Sequence, residues 1–255
     1  MVARAPTRGA PTRKGHLVTN TVTDLVYEIS CIGDRGKHDA VRRWFETRAA
    51  STWTRLPGLS ALDIYEPAES GAHDPFVSDG PGPLLQAILQ FPSAEALSRG
   101  IGDRALAESL AHGVPDVAVT GTMFERRFYP VAGEDGPAPL RGPFSYVVRY
   151  HRPAEDEAAF VADYLAHHPL LLGKFPRIRA VICYLPIPAP EPGGLLAADY
   201  MLGNEVRFDT VDDFNAAMAS PAREEARRHY RSLPPFTGRN THYPMLRRPM
   251  SRQPA

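Results

Sequence analysis

Two stretches of this chain run in step with each other, and a duplicated unit narrows the available folds more than any other feature of the sequence. Each stretch opens on a strand-like run, LVYEISC at 25–31 and FSYVVRYH at 144–151. A helix-like stretch follows. Next come a Leu/Phe–Pro step and a second run, RLPGLSALDIYEP at 55–67 and KFPRIRAVICYLP at 174–186. Tyr27 and Pro57 are 30 positions apart, as are Tyr146 and Pro176. A third apolar run ends in Phe before a helix start, at QFPSAEAL (90–97) and RFDTVDDF (207–214). The interval from Pro57 to Phe91 is 34 positions, and that from Pro176 to Phe208 is 32. Both stretches close on an extended Tyr-Pro segment, RRFYPV at 126–131 and NTHYPM at 240–245. Chance agreement of these landmarks, in one order, is improbable.

The repeated unit reads β-α-β-β-α-β. Ser93 and Thr210 are good N-caps, and Thr210-x-x-Asp213 has the capping-box form. Phe214, Ala217 and Met218 then supply an i, i+3, i+4 apolar stripe. This order is the ferredoxin-like split βαβ motif, an antiparallel sheet with both helices on one face. The bare face needs a cover, and two copies in one chain supply it by packing sheet on sheet. The expected fold is therefore α+β, with two ferredoxin-like repeats closing face to face as an intramolecular α/β barrel. Its parts are a flexible tail over 1–20, an N-terminal repeat over 22–130, a Gly/Pro-rich linker over 131–143 and a C-terminal repeat over 144–246.

Composition sets outer bounds. The 255 residues are 43% hydrophobic and 23% charged, enough apolar material for a core without staples. Lys+Arg and Asp+Glu number 29 each, so nothing points to a nucleic-acid or anionic-membrane partner. No apolar run approaches the roughly 18 residues of a membrane span. The basic start lacks the apolar core of a secretory signal, so the expected location is cytoplasmic. Cys31 and Cys183 cannot form a disulfide framework and read as buried thiols; Cys183 lacks the partners of a nucleophile. There is no GxGxxG, P-loop, CxxC, HExxH or GxSxG, so no cofactor and no metal is expected.

The polar residues that break these patterns are the candidate site. With Phe160 set at zero on a helical wheel, Tyr164 falls near ~40° and His168 near ~80°, in the apolar stripe, while His167 lies at its edge near ~340°. His168 should point at the sheet, as the last helical residue before Pro169. A buried imidazole there could move protons, or be a core histidine bonded to a carbonyl. On the strands, Tyr146, Val148 and Tyr150 share one face, and Val147, Arg149 and His151 the other. Likewise Val206 and Phe208 oppose Glu205 and Arg207. Arg149, His151, Glu205 and Arg207 should thus face the barrel interior or its rim. There they could hold a carboxylate or enolate oxygen, or form a salt-bridge network between the sheets. Tyr184 could donate to an oxyanion, and His242 could enter the cavity from the last strand. Phe160 and Tyr164 could wall an aromatic pocket or simply pack, and Trp44 and Trp53 should pack.

The halves are unequal at these positions. At the 119-residue offset of the Tyr match, Arg149 aligns with Ser30, His151 with Ile32 and His168 with Ala49. At the 117-residue offset of the Phe match, Glu205 aligns with Ile88 and Arg207 with Gln90. One working pocket, in the C-terminal half, is the expectation.

The second half also resembles the EthD family of the dimeric α/β-barrel superfamily. The resemblance rests on VVRYHRPAEDEAAFVADYLAHHPLLLGKFP (147–176) and EVRFDTVDDFNAAMASP (205–221). It implies an apolar cavity between sheet and helices, with His168 at the family's His-Pro-Leu position as acid or base. It also implies cofactor-independent lyase, dehydratase, cyclase or isomerase chemistry on a small aromatic or polyketide-like oxygenated substrate. On that reading Arg149, with His151 or Tyr184, holds the developing anion and Glu205 orients a cation. Arg207, His242, Tyr164 and Phe160 then contact the substrate. The alternatives are a non-catalytic ligand-binding or stress-associated barrel, and a haem or oxygen-using enzyme with His168 as axial ligand. Besides a small molecule, a homodimeric partner is compatible with the fold.

Overall fold

A computed structural model of the chain describes residues 23–68, 71–76, 79, 82–133, 142–188 and 195–252. The expected tail over 1–20 and the middle of the linker, 134–141, lie outside the described residues. The first half runs β1 (Thr23–Ile32), α1 (His38–Trp44), a π-helical turn (Phe45–Ala49), α2 (Ala50–Trp53), β2 (Ala61–Pro67), β3 (Leu85–Phe91), α3 (Ala94–Ile101), α4 (Arg104–Ala111) and β4 (Ala118–Tyr129). The second half runs β5 (Phe144–His151), α5 (Glu157–Leu172), β6 (Ala180–Ile187), β7 (Tyr200–Phe208), α6 (Val211–Met218), α7 (Pro221–Tyr230) and β8 (Asn240–Met250).

The eight strands close into one antiparallel barrel in the order β1-β3-β2-β8-β5-β7-β6-β4. Four neighbouring strands come from each half. The seams are β2 with β8 and β4 with β6. Closure leaves no free edge among the described strands. Among the described residues no helix is long and apolar enough to cross a membrane.

Local sequence explains the helix starts. The Ser93 side chain accepts from the Ala96 N–H, and the Thr210 side chain accepts from the Asp213 N–H. Phe214, Ala217 and Met218 are all buried, as the stripe predicts. Two features depart from the expected unit. Each half carries an additional helix, α4 or α7, before its last strand. Helix α5 also runs through Pro169 to Leu172 rather than stopping at His168. Proline at 169 removes the N–H that would satisfy the Leu165 carbonyl. The Tyr129 hydroxyl donates to that carbonyl instead, at 3.2 Å, so the helix continues.

Strand alternation divides the core into three bodies. Helix-facing side chains form one cluster in each half, around Trp53 and Leu89 in the first and around Phe160 and Phe214 in the second. Inward-facing side chains, including Val26, Tyr65, Phe124, Ile182, Tyr184 and Met245, fill the barrel axis. The barrel interior is thus a packed core.

Candidate functional site

The inward-facing charges pair with one another inside that core. Arg149 donates to Glu28 across the barrel, from Nη2 to Oε2 at 2.5 Å. Arg207 donates from Nε to Glu205 Oε1 at 2.6 Å, and Ser145 donates to the same oxygen at 2.6 Å. The Tyr184 hydroxyl donates to Glu205 Oε2 at 2.5 Å, while the Tyr65 hydroxyl reaches Glu205 from the first half at 3.2 Å. The Arg149 guanidinium lies over the Tyr184 ring, 4.6 Å from its centroid, which joins the two groups. Burial would raise the Glu205 pKa, but Arg207 and the donors around the carboxylate hold it down to about 2. A β-carbon at Gly203 would lie 2.9 Å from Arg149 Nη1, so a glycine here lets Arg149 lie flat on β7. These contacts form the inter-sheet ionic network that the alternation allowed as one of its two outcomes.

His168 is on the other side of the sheet. It is buried with Phe160, Tyr164 and Leu172 on the inner face of α5, as the helical wheel predicts. The expected single constellation is therefore divided by a β-sheet. Arg149, Glu205, Arg207 and Tyr184 share the barrel side, and His168 and His242 share the helix side. His151 joins neither; it is half-buried at the end of β5, edge-on to Tyr200. Phe160 packs in the core. Tyr164 stands behind the cavity wall, where its hydroxyl accepts from Asn204 Nδ2 at 2.5 Å and its ring lies 4.7 Å from that of His168.

The helix side holds a small cavity of about 70 Å³, partly continuous with solvent, between β5, β7 and β8 below and α5 and α7 above. Tyr146, Val148, Tyr150, Val206 and Phe175 make it aromatic and apolar. His168, Asn204, Arg223, Arg227 and His242 make it polar at selected points. The corresponding region of the first half is filled. There Trp53 sits edge-on to Trp44 and Phe45, with ring centroids 5.8 and 5.6 Å away, and its indole N–H donates to Ser109.

His168 Nδ1 meets His229 Nδ1 at 3.1 Å, which requires one ring to donate and the other to accept. Burial, then the neighbouring His229, Arg223 and His242, lowers the His168 pKa to about 3. The ring is therefore a neutral imidazole at pH 7, and its Nε2 remains for a ligand. Burial also lowers the pKa of His242. Behind the pair, Asp163, His167 and His229 are close enough to converge on a small cation. Asp163 and His167 instead bond each other at 2.7 Å.

The first half also reaches this cavity. The segment after β2 lies against α6 and α7, where the His73 N–H donates to Asn215 Oδ1 and Asn215 Nδ2 donates to the Gly71 carbonyl. Asp74 accepts from the Tyr146 hydroxyl at 2.8 Å and from Arg223 Nη2 at 2.7 and 3.1 Å. Asp79 accepts from both the backbone and the ring of His242, each at 2.9 Å.

Sequence reasoning missed Asn204, Arg223, Arg227, Asp74 and Asp79. Three of these positions left a signal. Asn204 interrupts the helix-facing stripe Leu202, Val206, Phe208. Arg223, Ala226, Arg227 and Tyr230 recur at i, i+3, i+4 and i+7, so the arginines occupy the inward stripe of α7. The two aspartates sit in a segment without periodicity, and only the tertiary fold brings them here.

Neither a protein-family model nor a curated protein matches the sequence. Solved structures do match. An anthrone oxidase-like protein superposes with a TM-score of 0.59 at 13% identity, covering 91% of this chain and 95% of that one. A "putative monooxygenase" from Fusobacterium nucleatum subsp. nucleatum gives 0.53 at 11% identity, covering 92% and 97%. An EthD family protein from Bacillus halodurans is also a neighbour, at 19% identity and a TM-score of 0.31, over 38% of this chain and 95% of that one. The fold of the chain is the one that the first two of these structures share. At these identities the likeness speaks for the fold, and the names of the neighbours stay with the neighbours.

Proposed function

We propose that the chain is a cofactor-independent acid/base enzyme acting on a small, oxygenated aromatic molecule in the cavity of its C-terminal half. The observation that carries this reading is a histidine pair, the buried, neutral His168 bonded to the half-buried His229, with His168 on the wall of an aromatic-lined cavity. The two halves are tandem ferredoxin-like units on this reading. Each half contributes β-α-β-β-α-β, with one helix added, so the cavity is the space between sheet and helices of the second unit.

In this mechanism the aromatic rings orient the substrate and exclude water. His168 Nε2 removes a proton from a carbon beside a carbonyl. The C–H electron pair moves onto the carbonyl oxygen, giving an enolate. The side-chain amide of Asn204, at the cavity wall, holds that oxygen. Return of the proton at another carbon gives isomerisation, and its delivery to a departing hydroxyl gives dehydration. His229 takes up or supplies the second proton position through Nδ1. Arg149, Glu205, Arg207 and Tyr184 are assigned a structural role in the barrel core.

The test is a thermal-shift panel of aromatic ketones, phenols and acids on wild type and His168→Gln, followed by turnover of any compound that binds. Loss of at least about 10²-fold in turnover with the fold intact is expected for the variant. Undiminished turnover would remove His168 from the chemistry.

A further inference from the structure

We infer that Asp74 occupies, from within the chain, a subsite for the anionic group of the ligand, and that the cavity takes small aromatic carboxylates or similarly charged organic anions. This rests on the proposed function, since it names the substrate class of the same cavity.

Arg223 and Arg227 lie one turn apart on α7, and both line the cavity. The carboxylate of Asp74 pairs with Arg223. Its two oxygens contact Arg223 Nη2 and one also accepts from the Tyr146 hydroxyl. The Asp74 side chain is only 2% exposed and Arg223 only 13%. Arg227 stacks on Phe76, 3.9 Å from the ring centroid, a contact that leaves its N–H edge open to an acceptor. An arginine, a tyrosine hydroxyl and a second arginine are the donors that a planar carboxylate recognises. Here a carboxylate is already bound to them, tethered through a connecting segment rather than a helix or strand.

An anion entering this subsite would compete with Asp74 for Arg223 and Tyr146. It would also bring negative charge to the cations that disfavour a protonated His168, so binding at one end would raise the basicity of the group at the other. Recognition and proton transfer would then be linked by charge alone.

The test measures dissociation constants of 1-naphthoate and its neutral isostere 1-naphthamide for wild type, Asp74→Asn and Arg227→Gln, using naphthalene fluorescence. Removing the internal competitor should tighten naphthoate at least tenfold and leave naphthamide within about twofold. Arg227→Gln, whose side chain lies nearer the surface, should weaken naphthoate at least fivefold with naphthamide again unchanged. It serves where Asp74→Asn proves too unstable to compare. Equal responses of acid and amide, in either variant, would overturn the anion subsite and leave the cavity reading in place. Failure of both probes to bind any of the three proteins would overturn the cavity reading and this inference together.

Discussion

At the residue scale, two buried titratable groups make acid stability a test of the assignments. Glu205 is held near pKa 2 in the fold against an ordinary value of 4.5. Its contribution is complete above about pH 4.5 and disappears as pH falls through 2. His168 is held near 3 against 6.5. The unfolded chain therefore binds a proton that the fold refuses, and stability declines as pH drops from 6.5 toward 3. The groups facing His168 are His229 and Arg223 from α7, His242 from β8 and Tyr164 from its own helix, none of which offers it a negative charge. Urea midpoints between pH 7 and 3 should thus fall less steeply for His168→Gln than for wild type. Removing the Glu205 charge is a different matter. Glu205→Gln leaves Arg207 in the core without its carboxylate partner, and a loss of about 3–5 kcal/mol in denaturation is expected. Tyr184→Phe gives the complementary measurement. It should lower stability while leaving ligand affinity unchanged within about twofold, because its hydroxyl serves the barrel and not the cavity.

At the element scale, α5 carries a specific prediction. The Tyr129 hydroxyl on β4 satisfies the carbonyl that Pro169 leaves open. Tyr129→Phe should cost about 1 kcal/mol in the native sequence and less in a Pro169→Ala background, where the N–H of residue 169 is restored. A double-mutant cycle with additive effects would mean that the contact is incidental. The same helix shows what the sequence could and could not reveal. The helical wheel placed His168 on the buried stripe because period and burial are local properties. Proline as a stop was the wrong expectation because the compensating hydroxyl comes from a strand of the other half. Alternation similarly placed Arg149, Glu205 and Arg207 inward. It could not say that inward meant a packed ionic core, since Glu28 and Tyr65, which complete that core, lie across the barrel. The arginines of α7 were hidden in a segment, PAREEARRHY, whose polarity resembles a solvated surface.

At the scale of the whole molecule, the halves depend on each other through buried charge. Arg149 needs Glu28, and Glu205 draws a donor from Tyr65. Both strand seams also join one half to the other. Residues 22–130 and 144–246 expressed apart should each fail to give a monomeric, cooperatively melting product, because each would expose a face bearing unpaired charges. Co-expression should restore a one-to-one complex, detectable by gel filtration. A stable, monomeric single half would contradict this dependence.

One chain closes this barrel with two unlike halves, and that has a consequence for counting. Two identical subunits must carry identical cavities, and whatever fills one fills the other. Joining unlike halves in one polypeptide lifts that restriction. Trp53 with its aromatic neighbours could then take up the space in one half, while the segment bearing Asp74 and Asp79 served the other. Saturation should accordingly come at one equivalent of ligand per chain, with no second, weaker step in the isotherm.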